Sequence, residues 1–206
     1  MTELARYQTC APKGVFIYSS HEEMEADRLR WLVDAMVRKA TNQCMEQTRP
    51  ATWDDVRTIA RYLEEAGAEY ALIGGYALAA HGFNRLTEDI HVLVNPSSAN
   101  ARRWIVALAR LPDGAARELL AKPEVFANEQ RDAVRINDEF TVDVMPSAGG
   151  VGWDDLRPHI KAVTIADQTI RVLDLPGLLK TKQGSRPKDQ MDAAVITAAL
   201  EALAKR

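Results

Sequence analysis

Short stretches in which apolar residues alternate with polar ones, or run together for a few positions, are interleaved along this chain with longer stretches of helical spacing. Turn residues mark the junctions. Near the start, GVFIYSS reads as a strand, and Ser20 is placed to cap the helix suggested by HEEMEADRLRWLVDAMVRKATNQCMEQ. Met24, Leu29 or Leu32, Met36 and Val37 fall at roughly helical spacing there, with acids early and bases late as the helix dipole favours. This helix is expected to pack on the core through that series, the alternative being a partner-binding or inhibitory arm. Thr52 before WDDVRTIARYLEEAG is a clearer helix start, with Asp55 near the cap and Gly67 as the stop.

EYALIGG then gives a short apolar strand that runs into Gly74 and Gly75. GYALAAHG gives a short helix, and DIHVLVN a strand ended by Asn95-Pro96. ANARRWIVALARL reads as a helix stopped at Pro112-Asp113-Gly114, and AARELLAK as a shorter one. RDAVRIND and EFTVDVMP read as a hairpin around Asn137-Asp138. Two β-prone runs, AVTIA and QTIRVLD, precede a last helix, DQMDAAVITAALEALAK. This order predicts an α/β (α+β) domain over residues 51–206, a small mixed sheet flanked by helices, preceded by a helical N-terminal extension over residues 1–50.

Composition narrows the partners. A chain of 206 residues can bury one core plus an appendage, and 47% hydrophobic with 27% charged residues is ordinary for a globular protein. A net charge of -3 argues against an overall nucleic-acid-binding charge, so any such contact must be a local patch. Residues 177–206 supply one: six bases (Lys180, Lys182, Arg186, Lys188, Lys205, Arg206) against three acids (Asp189, Asp192, Glu201). It reads either as a triphosphate- or RNA-facing surface or as a solvated helix entry. Cys10 and Cys44 form no C-x-x-C pair and are expected as free thiols in a reducing cytoplasm. The first residues show no secretory pattern, and no apolar run approaches the ~20 residues a bilayer span needs. A cytoplasmic protein without membrane contact is the expectation.

The candidate chemistry sits in the middle of the chain. At a strand-to-helix turn, Gly74 and Gly75 leave backbone N–H groups unshielded at the positive end of a helix dipole, which suits phosphate, although such a pair also serves its own backbone angles. In the next strand, period-two alternation puts Asp89 and His91 on one face. Asp143 lies between Val142 and Val144, where an acid is costly to bury without a partner. Two acids and a histidine on neighbouring strands suit a divalent metal and a nucleoside triphosphate. Equally, the two acids could pair with Arg85, Arg135 or a lysine.

The run IGGYALAAHGFNRLTEDIHVLV resembles the signature of the nucleotidyltransferase (DNA polymerase β-like) superfamily: a Gly pair, a short helix, Asp-x-Asp on a strand, and a third Asp on a later strand. Its wording, with the tail LLKTKQGSRPKDQMDAAVI, is similar to the AbiEii-like branch, which includes toxins of toxin-antitoxin systems. The resemblance covers about residues 52–206. It implies a nucleotidyltransferase fold and an enzyme that moves a nucleoside monophosphate from an NTP to a hydroxyl on an RNA end, a protein or a small molecule. Under it Gly74 and Gly75 bind triphosphate, and Asp89 and Asp143 hold Mg²⁺. Asp143 also helps activate the attacking hydroxyl. Arg85 and Thr87 orient the loop or touch phosphate, and Lys180, Lys182 and Arg186 form the basic patch. An antitoxin-like protein is the implied partner, and the segment GVFIYSSHEEMEADRLRWL is similar to short proteins encoded beside such enzymes.

The departure is His91, at the position of the family's second Asp. A neutral imidazole offers one nitrogen lone pair and no negative charge, so it weakens a two-Mg²⁺ arrangement; Mg²⁺ stays the expected cofactor, with Mn²⁺, which accepts imidazole, as the alternative. Three outcomes follow: reduced activity with one Mg²⁺, use of an imidazole-tolerant metal, or a non-catalytic relative that binds nucleotide, RNA or a partner protein.

Overall fold

The computed structural model describes residues 9–41, 47–121, 123, 133–184 and 186–205. Cys10 is a free thiol, and the expectation for Cys44 lies outside the described residues. In chain order the elements are β1 (Gly14–Tyr18), α1 (His21–Ala40), α2 (Trp53–Glu65), β2 (Tyr70–Ile73), α3 (Gly74–Ala80), β3 (Asp89–Val94) and α4 (Ser98–Leu108). A 3-10 helix follows over Ala115–Ala121, then β4 (Ala133–Asn137), β5 (Thr141–Met145), β6 (Ser147–Ala148), β7 (Val151–Gly152) and α5 (Trp153–Leu156). The chain closes with β8 (Ile160–Ile165), β9 (Gln168–Leu173), α6 (Leu175–Lys180) and α7 (Pro187–Ala204).

Seven strands make one mixed sheet in the order β1-β4-β5-β3-β2-β9-β8, parallel only at β3/β5 and β2/β9. The expected mixed sheet flanked by helices is therefore present. β2 ends where β3 and, next to it, β5 begin, so strand ends from distant parts of the sequence meet at one place.

The helices form where the sequence supplies caps. Thr52 and Asp55 make a reciprocal capping box, and Arg49 holds the Asp55 carboxylate with two N–H donors at 2.6 and 2.8 Å. Val56, Ile59, Ala60 and Leu63 of α2 are buried, with Trp104, Ile105 and Leu108 of α4 beside them. Ile90, Val92, Val142, Val144 and Ile136 fill the core from the sheet.

The N-terminal helix begins as expected, with Ser20 accepting from the Glu23 N–H, but its orientation corrects the sequence reading. It docks through Met24 and Trp31. Leu29, Leu32, Met36 and Val37 face outward, with Leu29 63% and Met36 67% exposed. Trp31 meets Phe16 of β1 edge-to-face at 4.9 Å between ring centroids. Burying an indole outweighs burying single aliphatic side chains, and periodicity alone does not say which of two apolar sides of a helix faces inward.

Candidate functional site

Strand register builds the site. One row across the sheet runs Phe16 (β1), Arg135 (β4), Asp143 (β5), His91 (β3) and Ile73 (β2), each directly beside the next. Alternation puts these side chains on one face, and the next row on that face contains Asn137, Thr141 and Asp89. Asp89, His91 and Asp143 thus converge, with one candidate ligand atom from each lying within 4.8 Å of the others.

Arg135 dominates the geometry. Its Nε donates to Asp143 Oδ1 and its NH2 to Asp143 Oδ2, both at 2.7 Å, a bidentate pair in which both side chains are buried. NH2 also stands 3.8 Å from Asp89 Oδ2. His91 Nε2 lies between the carboxylates, 3.2 Å from Asp89 Oδ2 and 3.3 Å from Asp143 Oδ2. These contacts are off the line of a good N–H bond, so they act as charge pairing more than as aligned hydrogen bonds.

Protonation follows from this arrangement. Burial alone would lower the His91 pKa, but the Asp89 charge and the contacts to both carboxylates outweigh it and push it up to about 9. His91 is then an imidazolium at neutral pH. Burial would raise the two acids, yet the charge of His91 and the contacts to it, with the Arg135 charge, hold Asp89 far below the usual carboxylate range. The Arg135 charge and hydrogen bonds, with His91, lower Asp143. Two carboxylates face one guanidinium and one imidazolium, so the group is neutral as it stands.

The glycine pair is explained by the same packing. Gly74 has φ +67, and a Cβ there would meet His91 Nδ1 at 2.8 Å; at Gly75 a Cβ would meet the Thr87 side chain at 2.7 Å. His91 and Thr87 therefore lie against the Gly74–Gly75 turn, and Thr87 Oγ1 donates to Asp89 Oδ1 at 3.2 Å. The basic residues are engaged as well. Lys182 Nζ lies 3.1 Å from Asp189 and 3.0 Å from Asp192, Arg186 donates to Asp189 at 2.7 Å, and Arg85 Nε lies 3.2 Å from Asp192. Asp189 and Asp192 are both buried; the Arg85 pair ties α7 to the loop before β3, and Lys182 ties it to the turn after α6. Lys180 is exposed at the end of α6. Lys188 is exposed, but its ammonium end is partly desolvated; that, with the charges of Arg85, Arg28 and Lys182, lowers its pKa against the pull of Asp89.

Residues 9–11 and helix α1 roof the site. A cavity of about 260 Å³ lies between them and the sheet, with Arg28, Trp31, Asp89, Arg135 and Thr141 in its wall. The Arg135 guanidinium carbon is 5.9 Å from the Trp31 ring centroid. Glu25 of α1 reaches within 3.7 Å of Arg186 at the start of α7.

The chain matches no protein-family description and no curated protein. Among solved structures it is similar to a Thermotoga maritima protein described as a candidate nucleotidyltransferase, at 15% identity over 73% of this chain and 91% of that one, with a TM-score of 0.43. It is also similar to an antigenic nucleotidyltransferase-like protein from Paracoccidioides brasiliensis, at 18% identity over 71% and 77% of the two chains, with a TM-score of 0.38. At this distance the chemistry has to be argued from the chain's own residues.

Those residues do not fit a pair of magnesium ions. Both oxygens of Asp143 are taken by Arg135, and the position between the acids holds a cationic ring, where Mg²⁺ needs free carboxylate oxygens. Arg135 was legible as a partner for an acid: it is a charge in the apolar strand AVRIN, eight residues before Asp143 across a hairpin. Trp31 and Arg28 carried no signal, because their place depends on which side of α1 faces the sheet. His81, at the end of α3, bonds the Leu173 carbonyl at 2.8 Å and serves packing.

Proposed function

We propose that this chain is a nucleotidyltransferase-like protein with an internally neutralised acidic centre, which binds a nucleotide without transferring it. The observation that carries the reading is the buried bidentate Arg135–Asp143 pair with His91 between Asp143 and Asp89. Two built-in cations stand where divalent metal would be needed, so binding does not call for metal. Arg28 and Lys188, whose charges act on Asp89 or feel it, supply positive charge for phosphate.

A second reading, metal-dependent transfer of a nucleoside monophosphate from an NTP to a hydroxyl, is favoured by the convergence of Asp89, His91 and Asp143 within 4.8 Å. That set would hold one imidazole-tolerant ion such as Mn²⁺ once His91 loses its proton and Arg135 swings away. Asp143 would then position the attacking hydroxyl. An RNA end or a protein as acceptor, a toxin role and an antitoxin-like partner belong to this reading.

Labelled NTPs incubated with the purified protein, Mg²⁺ or Mn²⁺, and total RNA or cell extract separate the two. The neutralised centre predicts nucleotide binding that survives EDTA and no transferred label. Transfer by the native chain that Asp89→Ala abolishes would overturn it in favour of the enzyme. Absence of nucleotide binding with or without metal would remove both.

A further inference from the structure

Helix α1 has two apolar sides, and among the described residues only one is covered. At about 100° per residue, Leu29, Val33 and Met36 stand opposite Met24, Trp31 and Ala35, which face the sheet. Leu32 and Val37 flank the outward series, so five large apolar side chains, each between 46% and 67% exposed, lie on one helix face. Single exposed apolar residues are normal, but a contiguous stripe of this size on a monomer marks a contact surface.

The charges beside the stripe identify its occupant. Arg30 and Asp34 stand two residues either side of Leu32, and Glu25 and Lys39 stand seven either side. A two-fold axis through Leu32 would set Arg30 against Asp34 of a second copy, and Glu25 against Lys39, on opposite flanks of the seam. The same axis puts Leu29 within one residue of the level of Met36 of the second copy. Within its own chain Arg30 pairs with Asp27, and Glu25 lies 3.9 Å from Arg28 and 3.7 Å from Arg186. The contacts across the axis would therefore share these charges. A membrane surface fits less well: α1 carries five acids (Glu22, Glu23, Glu25, Asp27, Asp34) against four bases (Arg28, Arg30, Arg38, Lys39), where an anionic bilayer needs a basic polar face.

We infer that α1 is the seam of a homodimer in which two copies of this helix pack antiparallel, apolar stripe against apolar stripe. The proposal is independent of whether the centre below it turns over: of the stripe, Leu32 also lines the cavity above Asp89 and Arg135, and the substitutions that test the seam leave it in place.

Sedimentation velocity on the full chain tests it, from about 1 to about 100 µM, a range that spans ordinary dimer affinities. The wild type is expected as a dimer across the upper part of this range. Leu29→Glu/Met36→Glu, at exposed positions that leave the core intact, is expected to sediment as a monomer with unchanged far-ultraviolet circular dichroism. Arg30→Glu and Asp34→Arg should each weaken the dimer, and the double reversal should restore it, because a two-fold axis pairs the reversed charges again. A wild-type monomer at every concentration would overturn the inference. So would a dimer indifferent to Leu29→Glu/Met36→Glu. Wild-type monomer that binds anionic vesicles, with that binding lost in the same variant, would overturn it in favour of a lipid surface.

Discussion

Replacing Asp143 with Asn distinguishes an ion network that holds the fold from an acid pair kept for metal, because the two predict opposite signs. The substitution preserves shape and removes one charge from a fully buried position. Arg135, also buried, then keeps only Asp89 at 3.8 Å as a charged partner. Removing one member of a buried, hydrogen-bonded pair costs about 3–5 kcal/mol. His91 relieves part of this by giving up its proton once one of its two carboxylates is gone, so the lower end of that range is expected. For a domain of this size each kcal/mol moves the midpoint by roughly 2–4 °C, which gives a drop in Tm of about 6–12 °C for a 3 kcal/mol loss. If the acids were instead a strained pair awaiting metal, neutralising one would remove repulsion and raise Tm in EDTA. Thermal unfolding of wild type and Asp143→Asn at pH 7 with EDTA is the assay, with Arg135→Met/Asp143→Leu as control. The double variant replaces both charges by apolar groups, so it should cost less than Asp143→Asn alone. An unchanged or raised Tm for Asp143→Asn would refute the reasoning.

The pH dependence has a definite sign. His91, raised from 6.5 to about 9, contributes stability that is fully present below pH 6.5 and lost as pH climbs through 9, up to about 3 kcal/mol. Denaturant titrations at pH 6 and 9.5 should show that loss, His91→Asn should flatten it, and an imidazole resonance titrating at or below 6.5 would contradict it. Asp89 and Asp143, held low, contribute stability that is present above pH 3.8 and lost as pH falls further. Gly75→Ala must displace Thr87 and so should destabilise by about 1–3 kcal/mol in the absence of any nucleotide, measured by urea unfolding. A neutral result would return the glycine to a purely phosphate-facing role. Lys182→Met should lower stability by about 3 kcal/mol, because it leaves Asp189 and Asp192 short of a cation, whereas Lys180→Met at an exposed position should stay within about 0.5 kcal/mol. Equal effects would show that the two lysines share a role.

Local chemistry made much of the fold legible. Ser20, Thr52 and Asp55 announced helix starts, and the alternation in DIHVLV put Asp89 and His91 on one face, while Asp143 stood out as an acid in the apolar run FTVDVM. Non-local choices were not legible. Whether α1 turned Trp31 or Leu29 to the sheet depended on Phe16 being beside Arg135 in register, a pairing between residues more than a hundred positions apart. The basic tail could read as a phosphate-facing surface as well as a solvated helix entry because Lys182 and Arg186 stand in the sequence only as charges. Asp189 and Asp192, which consume those charges, were counted only as acids that reduce a sum.

His91, where the resembled signature carries an Asp, acts together with Arg135. A histidine between two acids could by itself still give up its proton to a metal. A guanidinium clamped on the second acid raises the cost of doing so, since a metal must then displace two cations at once, one of them buried. Arg135 and His91 thus act in the same direction. Restoring the carboxylate at position 91 alone leaves Arg135 on Asp143, so His91→Asp should gain metal affinity less than His91→Asp combined with Arg135→Met. Calorimetric Mn²⁺ titration of the two variants would reveal that difference, and equal gains would mean that Arg135 swings aside freely.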